Sequence, residues 1–402
     1  VDTNVYQSKT QILRDSDYLK NPGFEFDAQV KTTGAKVQNT SVIDSSIIDG
    51  ITGTHKLIAG IEHYKKESDY NSVQRGTTIP VNGTDEAKNT SVYLEDQWQV
   101  GKLTLTPGVR YDRYESPEFV SGGKTYDNVV GALAASYEIA PRTQVFASYT
   151  EFNGPDLSQA IFNSNGAGTY VNSDLKAEEG ANAEVGVTTT LRDLTIADDA
   201  LQLSAKYFET DIENYIEFVR AGDGRVGLDC TTGQLNGSCQ GVINKDEDYK
   251  IKGVELAADY RTNNFSMGLS YERARSEGED TGYSISSVSG SSSESGDKYM
   301  VNLGYAPTDT TELGWRSTYV ASLTPNTGGD DIKKPNYDVH DIFMSYSPKQ
   351  VEGLKATVGV YNLFDETYAS HASRIVKPRE DGALRTDFEM GRNIKTSLTY
   401  QF

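Results

Sequence analysis

The sequence predicts an all-β protein, a transmembrane antiparallel β-barrel, and three observations carry that prediction. Alternation of apolar and polar residues at period two recurs along the 402 residues and is clearest towards the end, which is the pattern of strands with one face in lipid and the other in a polar lumen. No continuous apolar run reaches the length of a membrane helix. Tyr is abundant, 25 residues against 4 Met and 4 His, and it recurs where strands end, as an interfacial aromatic girdle requires.

The terminal segment shows the alternation most clearly. Ile394, Thr396, Leu398, Tyr400 and Phe402 interleave with Lys395, Ser397, Thr399 and Gln401. The aromatic C-terminus is also what barrel-assembly machinery is expected to read. The same pattern recurs at Leu103, Leu105, Val109 and Tyr111, at Leu201, Leu203, Ala205 and Tyr207, and at Phe265, Met267, Leu269 and Tyr271. Tyr111, Tyr149, Tyr207, Tyr271, Tyr305, Tyr346 and Tyr400 sit at strand ends. Connections alternate between tight (QVGK, APRT, RTNN, APTDTTE, SPKQVEG) and long (66–88, 153–177, 221–249, 272–297, 322–337, 369–391), the signature of periplasmic turns against extracellular loops. This spacing predicts strands near 2–14, 24–43, 54–65, 90–100, 102–114, 129–139, 142–151, 180–191, 200–219, 250–261, 263–273, 298–306, 311–321, 338–347, 355–368 and 394–402. That is about sixteen, with both termini periplasmic and no linker marking a second domain, so residues 1–402 read as one barrel.

The formal net charge of −20 argues against a nucleic-acid partner, and none is expected. Glu277, Glu279 and Asp280, and Asp330 with Asp331, lie in turn-rich segments where they solvate loops or hold divalent cations. Cys230 and Cys239, with eight residues between them and no His nearby, fit no zinc spacing; a small disulfide loop in an oxidising compartment is the better reading. The chain opens on Val rather than Met, so a processed or truncated N-terminus is expected. There is no GxSxG, HExxH or Walker A segment and no His beside a candidate nucleophile, so the expectation is no enzyme, no catalytic residue, no resident metal and no intrinsic cofactor.

Two segments near the end carry a family resemblance: Asn362-Leu363-Phe364-Asp365-Glu366-Thr367-Tyr368, expected on the second-last strand, and Gly391-Arg392-Asn393 opening the last. With VYLEDQWQVGKLTLTPGVRYDRYE, VFASYTEFNGPDL, LKAEEGANAEVGV, YFETDIENYI and YKIKGVELAADY, the chain resembles the TonB-dependent receptors, and among them the haem and haemoglobin receptor group. The resemblance covers essentially the whole chain. It implies a 22-stranded barrel of which about sixteen strands are present, a plug domain and first strands outside this chain, and energy coupling to the TonB complex through an N-terminal TonB box. It also implies an outer-membrane location with lipopolysaccharide and outer-membrane lipid around the wall. The ligand implied is iron-bearing: haem, carried as cargo, or a haem protein. A siderophore is the nearest rival. A porin-like pore, or an adhesin or phage-attachment surface, is the alternative of another class.

In haem receptors one long loop is bracketed by FRAP-like and NPNL-like motifs. Here Phe152-Asn153-Gly154-Pro155 and Asn172-Ser173-Asp174-Leu175 stand in those places, with Tyr170 the one residue between them able to ligate ferric haem as tyrosinate; the alternative is an ordinary loop tyrosine. By strand parity His63 and His340 fall on the outward face and His55 at a periplasmic turn. His371 and Arg374 lie in the last outer loop, where they either touch ligand or pack the loop. Lys206, Arg110 and Lys395 are expected in the lumen.

Overall fold

The computed structural model describes residues 1–15, 24–44, 53–74, 77–79, 84–154, 168–169, 171–220, 239–285, 294–328, 333–373, 375–376 and 385–401. Its long strands are Asp2–Asp15, Phe24–Asp44, Thr54–Gln74, Thr84–Val100, Leu103–Glu115, Thr125–Ala140, Thr143–Gly154, Glu178–Arg192, Ala200–Glu213, Tyr249–Arg261, Phe265–Gly278, Lys298–Thr308, Thr311–Val320, Tyr337–Tyr346, Leu354–Tyr361 and Asn393–Tyr400. With the short Thr77–Ile79 they form a 17-stranded sheet, so each strand expected from the sequence is present.

Two compact units divide these residues: 1–135, 148–182 and 211–248 in the first, 136–147, 183–210 and 249–402 in the second. Four of its five boundaries cut through strands, and the fifth falls just before Tyr249–Arg261. In the first unit, Asp2–Asp15, Phe24–Asp44, Thr54–Gln74, Thr84–Val100 and Leu103–Glu115 pair antiparallel in succession. In the second, Tyr249–Arg261 and each following long strand pair in order to Leu354–Tyr361, which pairs with Asn393–Tyr400.

Side-chain exposure separates the two faces. On the strands of the first unit Ile61, Val92, Leu94 and Val109 are 48–50% exposed, whereas inward Ser91 is fully covered. A water-soluble sheet buries its apolar face; this one leaves it open for lipid. Aromatics edge the apolar band. His55 stacks on Trp98, and Tyr271, Tyr299 and Tyr319 form a cross-strand ladder with centroids 4.9 and 6.0 Å apart. His340 lies against Trp315 and Phe364.

Inward aromatic rings lie flat over glycines of the neighbouring strand. Tyr93 covers Gly60 and Phe152 covers Gly180 in the first unit; Phe146 covers Gly186, Phe208 covers Gly253 and Phe343 covers Gly314 in the second. A Cβ on any of these glycines would come within 2.5 Å of a ring carbon or hydroxyl. Each pair fills the shallow groove a missing side chain leaves, and it fixes register because a one-residue slip carries the ring to the other face.

Three expectations about strand extent are corrected. Strands run further outward than the alternation marks, to Gln74, Thr84 and Gly278, because above the lipid both faces meet water and the alternation fades while pairing continues. The segment expected as one strand at 200–219 breaks at Asn214, whose φ of 54° is left-handed. The strand expected to run to 368 ends at Tyr361: Asn362 and Asp365 have φ of 51° and 59°, so the Asn362 to Tyr368 motif is a turn. That turn holds the other motif. Asp365 Oδ1 accepts the Arg392 N–H (2.7 Å), Asn362 Nδ2 donates to the Glu366 carbonyl (2.8 Å), and Arg392 Nη1 reaches the Leu363 carbonyl (3.4 Å). The two segments that carry the resemblance clasp one another.

Candidate functional site

The inner face of the first unit carries a bonded polar network. Arg110 donates Nε to both Asp112 oxygens (3.0 and 2.8 Å) and Nη2 to Ser91 Oγ (2.6 Å), with Glu62 at 3.8 Å. Asn89 donates to Asp112 (3.0 Å), and its buried Oδ1 has no donor among the described residues. Above the network a cavity of about 360 Å³ is lined by Asn89, Arg110, Tyr114, Tyr126, Phe152 and Lys176 among others, a volume at the lower end for a small-molecule site.

The rim of this cavity is a miniature core. Buried Val120, Leu175 and Val242 pack together, with Ile216 and Phe218 against them. Pro117 begins a single helical turn, Glu118–Ser121, whose free N–H groups at Glu118 and Phe119 are taken by the Asp85 carboxylate, both at 3.0 Å. Asn172 then ties three segments. Its amide N–H bonds to the Val120 carbonyl (2.9 Å), its Nδ2 to the Val242 carbonyl (3.1 Å), and its Oδ1 accepts the Asp174 N–H (3.1 Å). Lys124 Nζ and the Tyr126 hydroxyl both donate to the Leu175 carbonyl (2.8 and 2.9 Å), and Asn244 bonds the Lys176 backbone on both sides. Glu178 accepts the Ile216 N–H (3.0 Å), and its Oε1 lies 2.6 Å from where a Cβ on Gly154 would stand. Burial raises the Glu178 carboxyl above its ordinary range, partly offset by that N–H. Ile216–Arg220, Cys239–Asn244 and Gly168–Thr169 complete the rim as a three-stranded sheet.

Phe152 to Gly154 line the cavity, and the Asn172 to Leu175 segment, which returns from the same long loop in sequence, lies beside it, its Leu175 carbonyl bonded to the lining Tyr126. Phe152 both lines the cavity and covers Gly180. Tyr170, Arg374 and Cys230 lie outside the described residues, as does the Cys239 side chain.

His371 belongs to the second unit and is 1% exposed. Its Nδ1 accepts the Gly296 N–H (2.9 Å) and its Nε2 donates to the Pro335 carbonyl (2.8 Å). The Lys334 ammonium donates to the His371 carbonyl at 2.8 Å. Both ring nitrogens are thus engaged in joining three outer segments. Burial holds the imidazole below its ordinary range, and Lys334 and Arg275 push the same way. Burial also depresses Lys334 to about 8, with Glu294 acting against it. The remaining lumen cations are bonded within the wall: Lys206 to Glu255 (3.1 Å) and Glu184 (3.5 Å), and Lys395 over the Tyr361 ring (4.8 Å).

Sequence reasoning missed Asp85, Lys124, Asn244 and Lys334, which hold the rim and loops. Asp85 and Asn244 are short polar residues of the kind that cap backbone, but neither announces a partner more than 30 residues away.

Comparison with known proteins agrees with this architecture. The family described as TonB dependent receptor-like, beta-barrel, matches residues 2–363. The Hemin receptor of Yersinia enterocolitica is 25% identical over 395 residues, covering 92% of this chain and 52% of its own length. The Heme/hemopexin utilization protein C of Haemophilus influenzae is 23% identical, covering 99% of this chain and 54% of its own. The chain thus spans about half the length of these curated relatives. Among solved structures, the FrpB iron transporter from Neisseria meningitidis (F5-1 variant) superposes with a TM-score of 0.74 at 19% identity, over 100% of this chain and 61% of that one. The Serratia marcescens hemophore receptor HasR, in complex with its hemophore and heme, gives 0.67 at 17% identity, over 100% and 62%. Open apolar outer face, polar inner wall, clasped terminal motifs and family match lead to one conclusion: the chain belongs to the TonB-dependent receptor β-barrel family of the outer membrane.

Proposed function

We propose that this chain is barrel wall and outer vestibule of a receptor that takes up an iron-bearing ligand, haem or a haem protein, captured by extracellular loops. The observation that carries the reading is a cavity lined by Phe152 to Gly154 and by the rings of Tyr114 and Tyr126, with the Asn172 to Leu175 segment bonded to its edge through Tyr126. Rings flanking a slot suit a planar macrocycle, and the named relatives are hemin and heme receptors. Tyr170 is the proposed axial ligand, with Phe152 stacking; Arg374 is the proposed contact of the last outer loop, where buried His371 packs the loop. Cys230 and Cys239 are proposed to close a disulfide loop. Haem is cargo in this reading and no step is catalytic. Release inward would follow when the TonB complex remodels a plug supplied by the rest of the receptor.

Haem titration of the full-length receptor, followed by absorption spectroscopy, tests the reading. Saturable binding with a ligation spectrum lost in Tyr170→Ala is expected. An unchanged affinity and spectrum in Tyr170→Ala removes the ligand assignment. Binding of a ferric siderophore without haem binding replaces the cargo class, and a large open conductance in planar bilayers would favour the porin-like reading.

A further inference from the structure

Four ionised side chains line the cavity of the first unit, and three of them are bonded within the wall. Arg110 is held by Asp112 and Ser91, Asp112 by Arg110 and Asn89, and Glu151 accepts the Gly131 N–H at 2.8 Å. The fourth, Lys176, is different. It is exposed, and its ammonium has no hydrogen bond or ion pair among the described residues.

The backbone that carries Lys176 is nevertheless pinned. Asn244 accepts the Lys176 N–H (2.8 Å) and donates to its carbonyl (3.0 Å), and a further bond from Asn244 Nδ2 to the Asn214 carbonyl (2.8 Å) fixes the amide. One residue back, Leu175 is fully buried in the rim core; two residues on, Glu178 is buried and accepts the Ile216 N–H. A lysine set between two buried neighbours has its stem held at the cavity edge while its charge stays in water.

The lining as a whole is charge-balanced, Arg110 and Lys176 against Asp112 and Glu151, so its occupant is selected by contact and not by a surplus of one sign. The contacts it offers are the stacked rings of Tyr114 and Tyr126, with centroids 6.4 Å apart and 25° between planes, the ring of Phe152, apolar Ile216, and the unbonded ammonium. A flat ring system with an ionised acid at its edge meets all of them: aromatic walls take its face, and an ammonium, a compact charge with three donors, takes a carboxylate oxygen from several directions. Haem has that constitution, a planar macrocycle with two propionates on one edge. We propose that Lys176 pairs with a haem propionate and so selects porphyrins that carry a free acid. The inference rests on the haem reading of the vestibule and adds to it a residue that reads the ligand's edge, remote from the iron.

The test is titration of the full-length receptor with haem and with haem dimethyl ester, which keeps ring and iron and loses both charges. Lys176→Gln is expected to weaken haem binding about tenfold, the low end for a hydrogen bond to a charged group because the ammonium is exposed. The acid-to-ester affinity ratio should fall about tenfold from wild type to Lys176→Gln. Lys176→Arg keeps the charge and should stay within about threefold of wild type, and Lys102→Gln, in the tight turn before Leu103–Glu115, should match it. The absorption spectrum of bound haem should be the same in Lys176→Gln as in wild type, since the side chain does not touch the iron. An acid-to-ester ratio unchanged in Lys176→Gln, or lowered equally in Lys102→Gln, overturns the proposal and leaves the haem reading standing. A ratio that depends on Lys176 while Tyr170→Ala leaves the spectrum unchanged supports the proposal and removes the axial ligand alone. A wild-type receptor that binds neither porphyrin overturns both.

Discussion

Replacing Gly314 by Ala tests whether the ring-over-glycine pairs hold the sheet in register. Gly314 is the direct cross-strand partner of Phe343, and a Cβ there would lie 2.0 Å from the ring Cζ. Ordinary contact begins at 3.4 Å, so the ring edge must withdraw by about 1.4 Å. Overpacking of that kind costs about 1–3 kcal/mol. Against it, Gly→Ala in a strand gains about 0.5–1 kcal/mol of unfolded-state entropy. The net expectation is about 1 kcal/mol of destabilisation, small enough to be ambiguous alone. The decisive quantity is the coupling in a double-mutant cycle with Phe343→Ala, because without the ring the added methyl group meets no clash and the entropy gain stands by itself. Equilibrium urea titrations of the full-length receptor in phospholipid vesicles, with heat-modifiable gel migration as the readout of folding, should give a coupling of about 1–3 kcal/mol. A coupling below about 0.5 kcal/mol, the level at which independent sites add, would refute the argument that ring and glycine act as one unit.

Other substitutions probe the loops and turns. Asn172→Ala removes the donor to Val242 and the acceptor for Asp174, so the rim should lose about 1–3 kcal/mol; hydrogen exchange at the Asp174 and Leu175 amides should quicken while strand amides keep their protection. His371 prefers the neutral form when buried, so opened loops take the proton first and stability is lost as pH falls below the ordinary 6.5. Exchange at the Gly296 amide, corrected for intrinsic rate, should therefore accelerate between about pH 7 and 5, and His371→Gln should flatten that dependence. At the turn between Glu178–Arg192 and Ala200–Glu213, Asp199 accepts the N–H groups of Leu194, Thr195 and Ile196 and the hydroxyls of Thr195 and Tyr260. The Thr195 hydroxyl and these N–H groups hold its carboxyl well below the usual range. Asp199→Asn should be less stable at neutral pH in urea titrations, and the gap should narrow progressively below pH 3.8, where the unfolded chain takes up the proton while folded Asp199 still resists it.

The strands were legible because lipid on one side and a polar lumen on the other impose a chemical alternation at Leu103 to Tyr111 or Ile394 to Tyr400. Where that asymmetry ends, so does the signal: Lys65, Glu67, Glu86 and Lys88 lie on paired strands, yet Glu67, Glu86 and Lys88 read as loop. The Asn362 to Tyr368 motif was recognisable as a family mark while its backbone was not, since Phe364 and Tyr368 suggest continued alternation and only the left-handed Asn362 and Asp365 end the strand. At the vestibule, sequence marked Phe152 and the Asn172 to Leu175 segment but not what holds them. Val120, Val242 and Asn244 come from segments about 50 or more residues away from Asn172, and no local pattern states that they converge.

The rim core also determines how the surface of this receptor can vary. Sequence at 155–167 leaves from Gly154 and returns at Gly168; sequence at 221–238 leaves from Arg220 and returns at Cys239. Both exits and both returns lie within or beside elements fixed by Val120, Asn172, Leu175 and Val242, and Gly168–Thr169 pairs directly with the start of Cys239–Asn244. Closing a loop between fixed ends costs only about 0.6 kcal/mol more for each doubling of its length. Insertions, deletions and wholesale replacement in these two stretches therefore perturb the wall very little. The outer face can change there while the cavity rim keeps its shape.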